Sequence, residues 1–160
     1  MKSKIKVIYK LFLCLILINP FLLMSKVKSA DEIKITYGIF SRTISVESLK
    51  KYSLTGKAEK NLERLLKTTN SSNEEILNVL NKNFDIPLPI ASKLIYSEIG
   101  GILLSRLSKI IHPQKARDEI TGKLALRASI IKGIDRGEGK INLIRFFESY
   151  PTKTVILNVR

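Results

Sequence analysis

Apolar and polar residues alternate through the first part of the chain that reads as folded. Ile33, Ile35, Tyr37 and Ile39 fall on one side of an extended segment, with Lys34, Thr36, Gly38 and Phe40 on the other. Ser41-Arg42 is the expected reversal, and a second short strand, Thr43–Ser45, follows. Ser45 then serves as N-cap of a helix whose inward positions are Val46, Leu49 and Tyr52, and Gly56 stops it. A strand pair this short is not stable alone in water and needs a third strand or a helical cover. The run Thr152–Val159 is suited to provide it, with Val155, Leu157 and Val159 alternating with Thr154, Ile156 and Asn158.

Between these ends the period becomes helical. Lys57–Thr69 places Ala58, Leu62, Leu65 and Leu66 on one face. Ser72 and Glu75 form a capping box ahead of Ile76, Leu77, Leu80 and Phe84, and the two prolines of Asp85–Pro89 end that helix. A further helix begins near Leu88–Pro89 and carries Ala91, Leu94 and Ile95. Gly100-Gly101 is expected to break or kink it, after which Ile102, Leu103, Leu107, Ile110 and Ile111 continue the pattern to His112-Pro113. Residues 114–136 hold the most apolar helix, in which Ile120, Leu124, Leu126, Ala128, Ile130, Ile131 and Ile134 span the wide arc of a central element. A turn at Arg136–Gly139 and a short helix through Ile141, Ile144 and Phe147 precede the last strand.

Strands and helices do not alternate, which argues against a parallel sheet with a nucleotide crevice. The expected class is mainly α (α+β): a compact helical domain of about five to six helices, with a small antiparallel β-sheet joining the N- and C-terminal strands.

The opening residues change the domain picture. Lys2, Lys4, Lys6 and Lys10 precede the apolar run Leu11–Met24, and SKVKSA follows. This order is that of a secretory signal peptide, and the apolar run is short for a spanning helix. Cleavage is expected after Ser29 or Ala30; the competing reading is an uncleaved membrane anchor. The chain thus divides into a signal peptide at 1–30 and a single domain at 31–160. Removing the six lysines of the leader reduces the net charge from +14 to +8. Cys14, the lone cysteine, leaves with it, so no disulfide and no cysteine metal site is expected in the exported part. A domain of this length buries about two-thirds of its surface, enough for one core.

The chemistry-bearing patterns are sparse. The sequence has no G-x-S-x-G, no P-loop and no G-x-G-x-x-G. His112, the single histidine, stands before Pro113 at an expected helix end, where it would cap the last carbonyls. Glu74-Glu75 and Asp118-Glu119 are neighbours in sequence, so on a helix they diverge by about 100° and suit helix starts better than an acid–base pair. No metal or other cofactor is expected.

Two features remain. Arg127 falls within the apolar arc of the central helix, so its guanidinium must meet a carboxylate, a set of carbonyl oxygens or a water-filled pocket. A structural ion pair is the plainer account, and an anion or carboxylate pocket the sharper one. Lys57, Lys60, Arg64 and Lys67 form a basic stripe, either a solvated helix face or a contact surface for anionic lipid head groups or an acidic protein. No aromatic residues interleave with these cations, so nucleic acid is not an expected partner.

Several segments together carry a resemblance: ITYG at Ile35–Gly38, ISVESL at Ile44–Leu49, TG at Thr55-Gly56, LALRASII at Leu124–Ile131 and FFESYPTKTVIL at Phe146–Leu157. In this order they resemble an uncharacterised domain, a domain of unknown function, that precedes the catalytic part of exported cyanobacterial α/β-hydrolases. The resemblance implies export to the periplasm or thylakoid lumen, a mainly helical accessory domain and an association with esterase- or lipase-like chemistry. It implies no catalytic residue in this domain. Because Arg160 falls where the hydrolase would begin, the chain is expected to act as a stand-alone, non-catalytic accessory or binding module, with a separate hydrolase as its partner. The alternative is a peripheral membrane-surface protein that uses its basic helix face.

Overall fold

The computed structural model describes residues 29–69 and 71–159. The expected signal peptide, with Cys14, lies outside the described residues except for Ser29 and Ala30. Ala30 is itself buried in the core, so packing begins one residue ahead of the expected domain start.

Two strands open the fold, β1 (Glu32–Tyr37) and β2 (Phe40–Ser45), paired antiparallel. Their reversal is the two-residue loop Gly38-Ile39, not Ser41-Arg42. Gly38 has φ +56°, which a side chain would resist, and glycine at the first loop position suits the twist of a hairpin. Tyr37 and Ile39 are therefore at an exposed tip, and only the Ile33 end of the alternation enters the core.

Seven helices follow among the described residues, rather than five or six: α1 (Val46–Thr55), α2 (Lys60–Leu66), α3 (Asn73–Asn81), α4 (Leu88–Tyr96), α5 (Glu98–Ser108), α6 (Glu119–Arg136) and α7 (Leu143–Glu148). Local chemistry fixes most boundaries. Ser45 Oγ accepts from Ser48 N at the start of α1, and Gly56, at φ +68°, returns its N–H to Tyr52 O at the end. Ser72 and Glu75 form the reciprocal capping box of α3. Asp118 caps α6, which therefore starts at Glu119 and not at 114.

The α4–α5 break falls at Ser97, three residues ahead of the glycine pair. Ser97 ends α4 by sending both its N–H and its hydroxyl to Leu94 O, and it starts α5 by accepting from Gly100 N. Gly100 is required for another reason. A Cβ there would lie 2.0 Å from Leu94 O, so the residue permits the two helices to meet at this angle.

Residues Ile111–Pro113 are a strand, β4, rather than the tail of a helix. They pair antiparallel with β6 (Thr154–Val159), which in turn pairs parallel with β1, giving the order β2-β1-β6-β4. The sheet is thus mixed, not purely antiparallel. The whole helical body lies between β1 and β6, and this supplies the long crossover that a parallel pair needs. Lys153 O takes the N–H groups of Asp31 and Glu32, which starts the two strands side by side. A second, two-stranded ladder joins β3 (Phe84–Asp85) to β5 (Lys140–Ile141).

One large core joins the sheet to all seven described helices through residues that include Ile33, Tyr52, Leu62, Leu80, Ile95, Leu104, Leu126, Ile144 and Val155. A smaller cluster of Ala91, Ile134 and Ile141 ties α4 to the far end of α6. The mainly helical α+β architecture follows from this arrangement.

Candidate functional site

Arg127 leaves α6 toward the end of α4. Its Nε donates to Ile95 O at 3.2 Å, and its guanidinium lies over the Tyr96 ring, 4.9 Å from the centroid. Of the partners open to this cation, the structure supplies a main-chain carbonyl and an aromatic face, and the side chain is half-buried. The carbonyls of a helix C-terminus lack intrahelical donors, so a cation there satisfies one of them and complements the helix dipole.

Lys57, Lys60, Arg64 and Lys67 are all exposed, and acids interrupt the stripe they form. Lys57 precedes α2 and Lys67 is its C-cap. Lys67 Nζ is 2.8 Å from Glu63, and nearby Lys51 is 3.4 Å from Glu59. Glu59 also accepts from Ser48 Oγ at 2.6 Å. The Ser48 hydrogen bond, followed by Lys51, holds the Glu59 carboxyl below its ordinary range, and Lys67 does the same for Glu63. Both acids remain charged near neutrality and offset part of the stripe. Beside it, Tyr52, Ala58, Leu66, Lys67 and Asn73 line an open depression of about 390 Å³.

The other chemistry-bearing groups point inward. His112 is buried in β4 and does not cap a helix; its Nδ1 lies 3.0 Å from Pro113 O. Ser129 donates its hydroxyl to Phe146 O. Ser149 Oγ and Tyr150 Oη are enclosed, with no hydrogen-bond partner among the described residues, and burial pushes the Tyr150 phenol well above its ordinary pKa. No group of three or more His, Cys, Asp or Glu among the described residues is arranged to hold a metal ion.

The central-helix expectation needs correction on one side. Leu126 and Ile134 are buried, but Ile120, Leu124 and Ala128 face outward. Leu124 and Ala128 line a shallow apolar groove of about 400 Å³ with Pro113, Ala116 and Pro151, and Lys115 is also part of its lining. Ten of the eighteen exposed large apolar residues lie between Ile90 and Leu124, on α4, α5, the start of α6 and their connections. The sequence held a signal for this. On α5 the packed positions are Gly100, Leu104 and Ser108, two of them small, while Ile99, Ile102, Leu103 and Leu107 stand on the other side. Small residues allow close helix approach, and Gly122 of α6 meets Ser108 so tightly that an added Cβ would sit 2.7 Å from Ser108 Cβ.

A family model described as an alpha/beta hydrolase of unknown function (DUF1400) matches residues 29–158, nearly the whole described fold. The chain belongs to this family. No curated protein and no solved structure matches the chain. The DUF1400 match ends within β6, so the family pattern includes the strand that joins the two ends of the domain. The matched segment folds as a helical α+β domain whose main sheet has a single parallel pair, between β1 and β6.

Proposed function

We propose that this DUF1400 chain is an exported, non-catalytic accessory module that acts by binding, with a separate hydrolase as its partner. The observation that carries this reading is the setting of His112. The single histidine of the sequence, the residue type most often used for acid–base work, is buried in a strand, with one ring nitrogen against a main-chain carbonyl. The family description supplies the link to hydrolase chemistry. Export rests on the basic, apolar and small-residue order of the leader, and the burial of Ala30 favours cleavage after Ser29 over cleavage after Ala30. Periplasm and thylakoid lumen are the compartments that this reading allows.

The test is purification of the tagged protein from the exported fraction of its own host, with and without crosslinking. The accessory reading predicts recovery of an α/β-hydrolase in fixed proportion to the tagged chain. Recovery of the tagged chain alone under both conditions would contradict it. A second reading, contact with a membrane surface, has support from the exposed aliphatic residues of α4 and α5, and their arrangement allows it to be made specific.

A further inference from the structure

We propose that the solvent-facing side of α5, extended by α4, is a docking face for an anionic lipid surface. This inference concerns a different element from the Lys57–Lys67 stripe, and it does not depend on whether a hydrolase partner exists.

Most of the face is built on α5, and Ile110 continues it just past the helix end. Ile99, Ile102, Leu103, Leu107 and Ile110 recur at the three- and four-residue spacing that aligns side chains along a helix, and each is between 41% and 69% exposed. Ile90 and Leu94 repeat the pattern on α4. The charges along this face are mostly basic. Arg106 falls at the helical spacing shared by Ile102, Leu103 and Ile110, Lys109 adjoins Ile110, and Lys93 adjoins Leu94. All three are exposed, and none has a carboxylate within 4 Å among the described residues. Two acids flank them: Glu98, the sole acid of α4 and α5, falls four residues before Ile102, and Glu119 of α6 is close to Ser105 and Lys109. Across residues 88–133, eight Lys and Arg stand against three acids, a net of +5.

Aliphatic side chains with interleaved cations are what an interfacial helix presents to a bilayer. The chains enter the acyl boundary, while Arg and Lys extend their apolar stems along it and leave their charges among the phosphates. Charge complementarity separates this occupant from a second copy of the chain. A two-fold contact through this face would bring Arg106 toward its own copy, and the acids beside the face, Glu98 and Glu119, are fewer than its cations Lys93, Arg106 and Lys109. Composition weighs against a protein partner. Protein interfaces concentrate Trp, Tyr, Phe and Met at their centres, and here the stripe is Ile and Leu, with Tyr96 engaged by Arg127. No described helix is long and apolar enough to cross a membrane, so the contact is with the surface.

The experiment is flotation of the exported, processed protein with vesicles of phosphatidylcholine alone or with about one-third phosphatidylglycerol, at low and high salt. The wild type should float with the anionic vesicles, less with the neutral ones, and less again at high salt. Ile102→Asp with Leu103→Asp should lower partitioning at least about tenfold. Arg106→Ala and Lys109→Ala should each lower it about fivefold on anionic vesicles only. These positions are exposed, so the melting temperature should hold; Ile102→Ser with Leu103→Ser gives the same reading if the aspartates disturb folding. Lys57→Glu with Lys60→Glu should leave partitioning within about twofold. The proposal is overturned if the wild type ignores anionic vesicles, if the stripe variants float as well as it does, or if the Lys57/Lys60 pair alone abolishes binding. It is also overturned if the wild type is a dimer that the stripe variants dissociate.

Discussion

Ile33 and Val155 lie side by side across the parallel pairing of β1 and β6, and both are almost wholly buried. Through this pair the first and last strands of the domain share one core, so β6 is part of the fold's foundation. Deleting residues 153–160 should leave the domain unfolded, and Ile33→Ala should cost about 2–5 kcal/mol. Urea melts followed by circular dichroism measure both, and a truncated chain with an unchanged midpoint would refute the closure.

Arg127 links α6 to the end of α4 through Ile95 O and the Tyr96 ring. Arg127→Met should destabilise the domain by about 1–2 kcal/mol, because it removes a charged donor from a helix-end carbonyl and a cation from an aromatic face. Tyr96→Leu should cost about 0.5–1 kcal/mol, and the double variant should fall short of the sum by about 0.5 kcal/mol or more. Strict additivity in chemical denaturation would show that the stacking contributes nothing.

The expected mainly helical body and terminal strand agree with the structure because capping and alternation are local signals. Ser45, Gly56 and the Ser72–Glu75 box each act within four residues of themselves. Strand direction is not local. The alternation of Val155, Leu157 and Val159 is the same for either orientation, and only the route of the helical crossover sets β6 parallel to β1. Gly100 shows a second limit: glycine marks a break in one setting and a close approach in another, and here the break belongs to Ser97. Ile111–Pro113 continued a helical period by accident of composition. Periodicity likewise revealed that α6 is widely apolar without revealing that Ile120 and Leu124 stay uncovered. For the site, Arg127 stood out because a cation in an apolar arc needs a partner, but Ile95 O and Tyr96 came from a separate helix that no spacing rule could place.

Asp118 caps α6 by accepting from Thr121 N at 2.8 Å, and that hydrogen bond holds its carboxyl below the ordinary range. A depressed folded-state pKa adds stability above the unfolded value, about 3.9, and loses it as pH falls through the folded value. Asp118→Asn keeps an acceptor at the cap without titrating. The wild type should therefore lose stability relative to this variant as pH falls below about 4. Thermal melts from pH 6 to pH 2 make the comparison, and parallel curves would contradict it.

Tyr150 is fully buried, and its hydroxyl has no partner among the described residues, although its ring packs edge-on against Phe146. Removing the hydroxyl should relieve a desolvation cost while keeping the ring contacts. Tyr150→Phe should be neutral or raise stability by about 1 kcal/mol. A loss of more than about 1 kcal/mol would show that the hydroxyl is satisfied in the folded protein.

The proposed accessory role has this DUF1400 domain work by binding, with no chemistry of its own. The most direct measurement is hydrolysis of p-nitrophenyl acetate and butyrate by the purified protein across a range of concentrations. The accessory role requires rates equal to those of the same protein after heat denaturation. Turnover that rises with protein concentration and disappears in a folded His112→Ala variant would contradict it.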